Sequence, residues 1–188
     1  MPDPPAMMLG IPFPPGVTTP IHDPSLSETD KPQKFIHWIS SYFNPLSSPK
    51  CITDEALRSR HDMYEATDDD RYLPVSLRLK PSELRSLVYP EAYSRIGVML
   101  AYAPEVYSQA LQNAIFDTKG RWGHLRVVGL WPDMTIWTCS LAHRALSDML
   151  ATPPVSGRVR RNVEMVELHD ANHVVGVKLL AYIAGLRI

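Results

Sequence analysis

The sequence predicts an α/β chain in which a few parallel strands are combined with a layer of helices. Three observations carry that prediction. Two short apolar runs, Val127 to Trp131 and Val163 to Leu168, each pass straight into a tight polar turn. A helix-forming segment lies between them, and a strand–helix–strand unit of this length closes with its strands parallel. From about residue 20 to about residue 120, apolar residues recur instead at helical spacing, in pieces separated by prolines.

The elements follow in chain order. Ala6 to Ile11 is a continuous apolar run stopped by Pro-Phe-Pro-Pro-Gly, the pattern of a short strand buried on both faces. Residues 17–32 are polar and proline-rich and read as loop. Phe35, Trp38, Ile39, Tyr42 and Phe43 form one stripe of a helix over 33–43, which Asn44-Pro45 ends. Thr53-Asp54-Glu55 starts a second helix, running to about Glu65. Asp68, Asp69 and Asp70 read as a solvated turn; the sharper reading, a hard-cation site, lacks the glycine-spaced loop that calcium would need. Pro81 opens a short helix and Pro90 a longer one to Tyr102. Pro104 starts another, with Tyr107, Ala110, Leu111, Ala114 and Ile115 as its stripe. The strand at 127–131 follows. A helix over 137–150 then presents Ala142, Ala145, Leu146, Met149 and Leu150 on one face. The second strand is 163–168, and a terminal helix spans 174–188. By pattern the chain divides at about 1–19, 20–120 and 121–188.

Composition bounds the function. The chain of 188 residues is one domain or part of a larger one, and 45% hydrophobic residues suffice for a core. A formal charge of −1 gives no bulk attraction to nucleic acid or to an anionic membrane. Arg158, Arg160 and Arg161 therefore read as a solvated loop and not as a nucleic-acid patch. Two cysteines, Cys51 and Cys139, do not make a disulfide framework. Without a run of about 18 apolar residues, or a basic-then-apolar start, no membrane span or signal peptide is expected. The expected compartment is the cytoplasm.

Asp133 and His173 are the candidate functional residues. Each follows the carboxyl end of a predicted strand, where open parallel sheets gather ligands and catalytic groups. They stand 40 residues apart, about one strand–helix–strand repeat, so they should emerge side by side. Each also has a plainer reading. Asp133 fits the N-cap of the helix near Trp137, and His173 fits a polar surface turn. His169 and His173 have a spacing that occurs in metal sites. No cysteine pair or third ligand lies near them in sequence, so neither metal nor cofactor is expected. Cys139, inside a predicted helix with no second base placed for it, reads as a buried apolar thiol.

From about Met7 to Ile188 the chain resembles the C-terminal half of an α/β-hydrolase, nearest in character to fungal members. Met8-Leu9-Gly10-Ile11-Pro12 is similar to the strand after the nucleophile helix, and the helical middle to the cap inserted there. Leu130-Trp131-Pro132-Asp133 resembles the turn that bears the acid, and Ile136-Trp137-Thr138-Cys139 a Trp-x-Cys helix start. Asp170-Ala171-Asn172-His173 resembles a Gly-x-Asn-His turn, with Asp170 where glycine is common. The resemblance implies a partial α/β-hydrolase fold. In it Asp133 orients the imidazole of His173, and His173 acts as general base for a serine.

The departures are specific. None of the nine glycines is followed two places on by serine, so no Gly-x-Ser-x-Gly elbow is present, nor is a His-Gly-Gly oxyanion loop. The acidic residue and proline usual after the histidine are also missing from 174–188. The resemblance therefore implies a truncated relative of serine-type hydrolases acting on small apolar esters or epoxides, itself inactive, whose exposed first-strand edge favours self-association. The alternative is a non-catalytic binding or interaction module derived from a hydrolase.

Overall fold

A computed structural model of the chain describes residues 5–46, 48–59, 69–80, 82–83, 104–116, 119, 123–154 and 159–174. The predicted helix over 90–102 lies outside these residues, as do the end of the 53–65 helix and nearly all of the terminal helix.

The sheet, among the described residues, has two strands. β1 (Val127–Pro132) and β2 (Val163–Leu168) pair in parallel, with Val127 opposite Val163 and Pro132 opposite Leu168. The ladder runs on past both ends, through Val127 N–H to Asn162 C=O and Asp133 N–H to Leu168 C=O. Alternate residues of a strand point their N–H groups the same way, so Pro132 has its missing donor on the side away from β2. That is where a strand tolerates proline.

The Ala6 to Ile11 run is not a strand. Ala6–Leu9 is a 3₁₀ turn closed by Gly10 at φ 71°, with Ile11 N–H returning to Ala6 C=O. The physical reason lies in its residues. Ala, Met, Met and Leu are helix formers without a β-branch, and Gly10 takes the left-handed conformation that reverses the chain. The strand edge expected at Met8–Ile11 is therefore not formed by these residues. Ala6 and Leu9 are instead buried in the core.

Five helices are described: α1 (Lys31–Ile39), α2 (Asp54–Ser59), α3 (Val75–Arg78), α4 (Pro104–Phe116) and α5 (Trp137–Ala151). α1 stops four residues before the predicted end. The Ser41 hydroxyl donates to His37 C=O at 2.6 Å, and the chain then straightens. Tyr42 and Phe43 are still buried, because this extended segment docks on the turn after β1. Phe43 N–H donates to Met134 C=O, and Leu46 N–H to Asp133 C=O. On α4 the inward face is turned from the predicted one. Ile115 is buried, while Ala110 and Ala114 are exposed.

α5 links the strands and is the most buried helix described. Trp137 through His143 are all buried, so its first half is enclosed on every side. Trp137 donates its indole N–H to Thr18 C=O at 3.2 Å and meets Phe13 edge to face. Trp131 stacks flat on His143 at 4.0 Å. A single apolar cluster joins Ala6, Leu9, Trp38, Phe43, Ile52, Leu57 and Ile115 to Trp131, Ile136, Trp137 and Leu141. The helical segment and the strand–helix–strand segment thus share one core.

The arginine loop also differs from expectation where it is described. Arg161 is buried and gives its backbone N–H to Ile115 C=O. Arg160 donates to Leu150 C=O and Thr152 C=O at the end of α5. A cation there satisfies carbonyls that the helix leaves unpaired and complements the helix dipole. No described helix is long and apolar enough to cross a membrane.

Candidate functional site

Parallel pairing brings the turns after β1 and β2 to the same end of the sheet. The β2 turn begins at His169 and Asp170. Asp170 has φ 53°, in the left-handed region that aspartate tolerates better than most residues. A preference for glycine at this position follows directly from that conformation. The Tyr72 phenol donates to Asp170 Oδ1 at 3.1 Å from the outer side. Partial burial and this bond hold the phenol above its ordinary pKa.

Asp133 is buried beneath the same turn. Its Oδ1 accepts the N–H of Ala171 at 3.2 Å, and its Oδ2 accepts the N–H of Asp170 at 3.3 Å. Met134 N–H donates to Ala171 C=O at 3.0 Å. The acid turn and the histidine turn are therefore latched together by side chain and backbone. Asp133 is not the cap of α5: the N-cap is Ile136, with no side-chain cap bond. The capping alternative is overturned, because the carboxylate faces the neighbouring turn instead of the start of α5.

Asn172 is fully buried and anchors the other side. Its Nδ2 donates to Ser40 C=O at 2.8 Å, and its Oδ1 accepts Val174 N–H at 3.1 Å. The Asn-His pair thus has a local explanation. The asparagine ties the turn to the end of α1, which sets the position of the next side chain.

That side chain is His173. Its Nδ1 lies 3.3 Å from Cys139 Sγ, in the first turn of α5. Cys139 is buried, as expected, and its neighbour, which the sequence did not place, is the His173 ring. The imidazole also lines a cavity of about 750 Å³. The cavity wall comes from the Pro5–Phe13 segment, from Ile21, from Phe35, Trp38 and Ile39 of α1, from Pro104, and from Ile136. Its polar groups are Thr19, His22, Thr138 and His173. His22 Nδ1 lies 2.8 Å from the buried Thr19 hydroxyl, which orients that ring. The volume suits a small organic ligand, and an apolar wall with a few placed polar groups is how such sites are built.

His169 does not join His173. Its Nδ1 lies 3.7 Å from Asp133 Oδ2 and 3.8 Å from Glu167 Oε1. Of the three aspartates, Asp68 lies outside the described residues, Asp69 caps a 3₁₀ turn and Asp70 opens it. Asp69 accepts from the backbone and guanidinium of Arg71, and these bonds hold its carboxyl below the usual range.

Sequence reasoning missed Glu167, His22 and the Cys139 contact. The alternation of β2 could have exposed the first, since Glu167 and His169 share a face. Nothing local marks His22, whose role depends on a loop folding across the chain. No family model matches this chain, and no curated protein or solved structure matches it either.

Proposed function

We propose that this chain is the acid- and histidine-bearing part of an α/β-hydrolase-like fold, and that its cavity receives a small apolar, ester-like molecule. One observation carries the reading. His173, on a turn latched by Asp133 at the carboxyl end of the neighbouring parallel strand, lines an apolar cavity of about 750 Å³. In such an arrangement the imidazole takes a proton from a nucleophile, and the acid fixes the geometry of its turn.

A second reading has its own support. Among the described residues, the groups lining the cavity include no serine and no cysteine. The Cys139 thiol beside His173 is buried and does not line the cavity, which leaves binding as the activity of these residues alone. An oxyanion donor is worth about 10²–10³ in turnover, and no elbow of the usual sequence supplies one. We therefore expect binding without hydrolysis at an enzymatic rate.

The test is a titration of the purified chain with short p-nitrophenyl esters, followed by tryptophan fluorescence, since Trp38 lines the cavity. Native chain should bind saturably, and a cavity-filling Ile21→Trp variant should not. Release of p-nitrophenol should stay near background in native chain and in His173→Ala alike. Absence of saturable binding, or binding that survives Ile21→Trp, would overturn the cavity assignment. Turnover that vanishes in His173→Ala would overturn the claim of inactivity.

A further inference from the structure

We propose that Asp133, Glu167 and His169 form a divalent-cation site at the carboxyl end of the sheet. The sheet register builds it. Trp131 pairs with Glu167 and Pro132 with Leu168, so the next step of the ladder sets Asp133 beside His169. Residues two apart on a strand share a face, which puts Glu167 on the same side as His169. The imidazole Nδ1 then stands between the two carboxylates, 3.7 Å from one and 3.8 Å from the other. One donor atom from each of the three residues lies within 4.8 Å of the others.

The two imidazole–carboxylate distances are near those of a loaded site. Metal–ligand bonds of about 2.0–2.2 Å put neighbouring donors roughly 3.3–3.5 Å apart around a four-coordinate ion. For the two imidazole–carboxylate pairs the gap is a few tenths of an ångström, and His169, with a side chain 76% exposed, is able to close it by rotation. The donors are one nitrogen and two carboxylate oxygens, which suit Zn²⁺ or Mn²⁺ better than Cu⁺. Two carboxylates neutralise the charge of a divalent ion. Asp133 is already oriented by the amides of Asp170 and Ala171, the kind of outer support that metal-binding carboxylates receive. Burial falls from Asp133 through Glu167 to His169, so one side of the site faces water and leaves a coordination position for it. A cation here would fasten the end of β1 to the end of β2. The inference shares Asp133 with the proposed function but uses neither His173 nor the cavity, so Zn²⁺ binding and ester binding succeed or fail separately.

The competing arrangement is a direct pairing of His169 with the two carboxylates, with no metal. Isothermal titration of the full chain with Zn²⁺ near neutral pH separates the two. One Zn²⁺ should bind per chain, and His169→Ala and Glu167→Gln should each weaken it by at least about 10-fold. Neither residue is buried, so neither change should unfold the protein. His124→Ala, at an exposed histidine elsewhere, should bind like the native chain. The cobalt-substituted protein should show a visible absorption band that His169→Ala loses. No saturable binding, or equal binding by His169→Ala and native chain, would overturn the proposal.

Discussion

Asn172 shows how one residue fixes the geometry of a site without touching a ligand. Its amide is fully buried and uses both ends, donating to Ser40 C=O and accepting from Val174 N–H. Alanine at this position would leave buried polar groups short of a partner, at about 1–3 kcal/mol. Asn172→Ala should therefore lower the urea midpoint, with its slope unchanged, and should displace the ring resonances of His173 in NMR spectra. Asp170 was also legible in part. The family resemblance marks its position as one for glycine, and the left-handed φ is the physical content of that mark. Cys139 was legible as buried, but its contact with His173 was not. Sequence spacing shows which face of an element a residue occupies; it does not show which turn folds over that face.

At the scale of elements, β2 matched its predicted bounds, and β1 and α5 were extended by one residue each. Their apolar runs are bounded by strong breakers and sit in one repeating unit, so period and length agree. The 6–11 run had no such support. Six apolar residues between prolines fit a strand or a helical turn equally well by hydrophobicity, and Gly10 decided the matter. A side chain at Gly10 would place its Cβ 2.3 Å from Pro104 C=O and 2.7 Å from Ser108 N, at the start of α4. Gly16 has a similar φ of 79°, yet nothing lies within 4 Å of its missing Cβ. The two glycines separate conformational cost from packing. Gly16→Ala should lose about 1–2 kcal/mol, the left-handed penalty alone. Gly10→Ala should lose clearly more, because α4 must also shift. Thermal melts of the two variants beside the native chain would check the order.

Across the whole molecule, the parallel pairing of β1 with β2 was readable and the common core was not. The sequence changes character near Gly120, which suggests a helical layer set apart from the sheet. The cluster instead mixes Trp38, Phe43 and Ile115 with Trp131 and Trp137. Amphipathic spacing shows that a helix has an apolar face. The identity of the surface that covers it depends on where loops carry it, and the proline-rich connections here give no local signal of that. The absence of a Gly-x-Ser-x-Gly elbow was fully readable, and it is what separates binding from turnover in the proposed function.

The bonds that hold the candidate site together span long stretches of chain. Tyr72 reaches Asp170 across 98 positions, Trp137 reaches Thr18 across 119, and Asn172 reaches Ser40 across 132. Each closure costs chain entropy before it returns any contact energy, and folds dominated by such closures are slow to form. The site should therefore form late in folding. α5 can gain structure from neighbouring residues, whereas the turn at Asp170 to Val174 must wait until the start of the chain has arrived. In pulse-labelling hydrogen exchange during refolding, amides in the middle of α5 should be protected first. The amides of Ala171 and Val174, bonded to Asp133 and Asn172, should follow in a slower phase. Simultaneous protection of both sets would show that the turn is already in place when the helix forms.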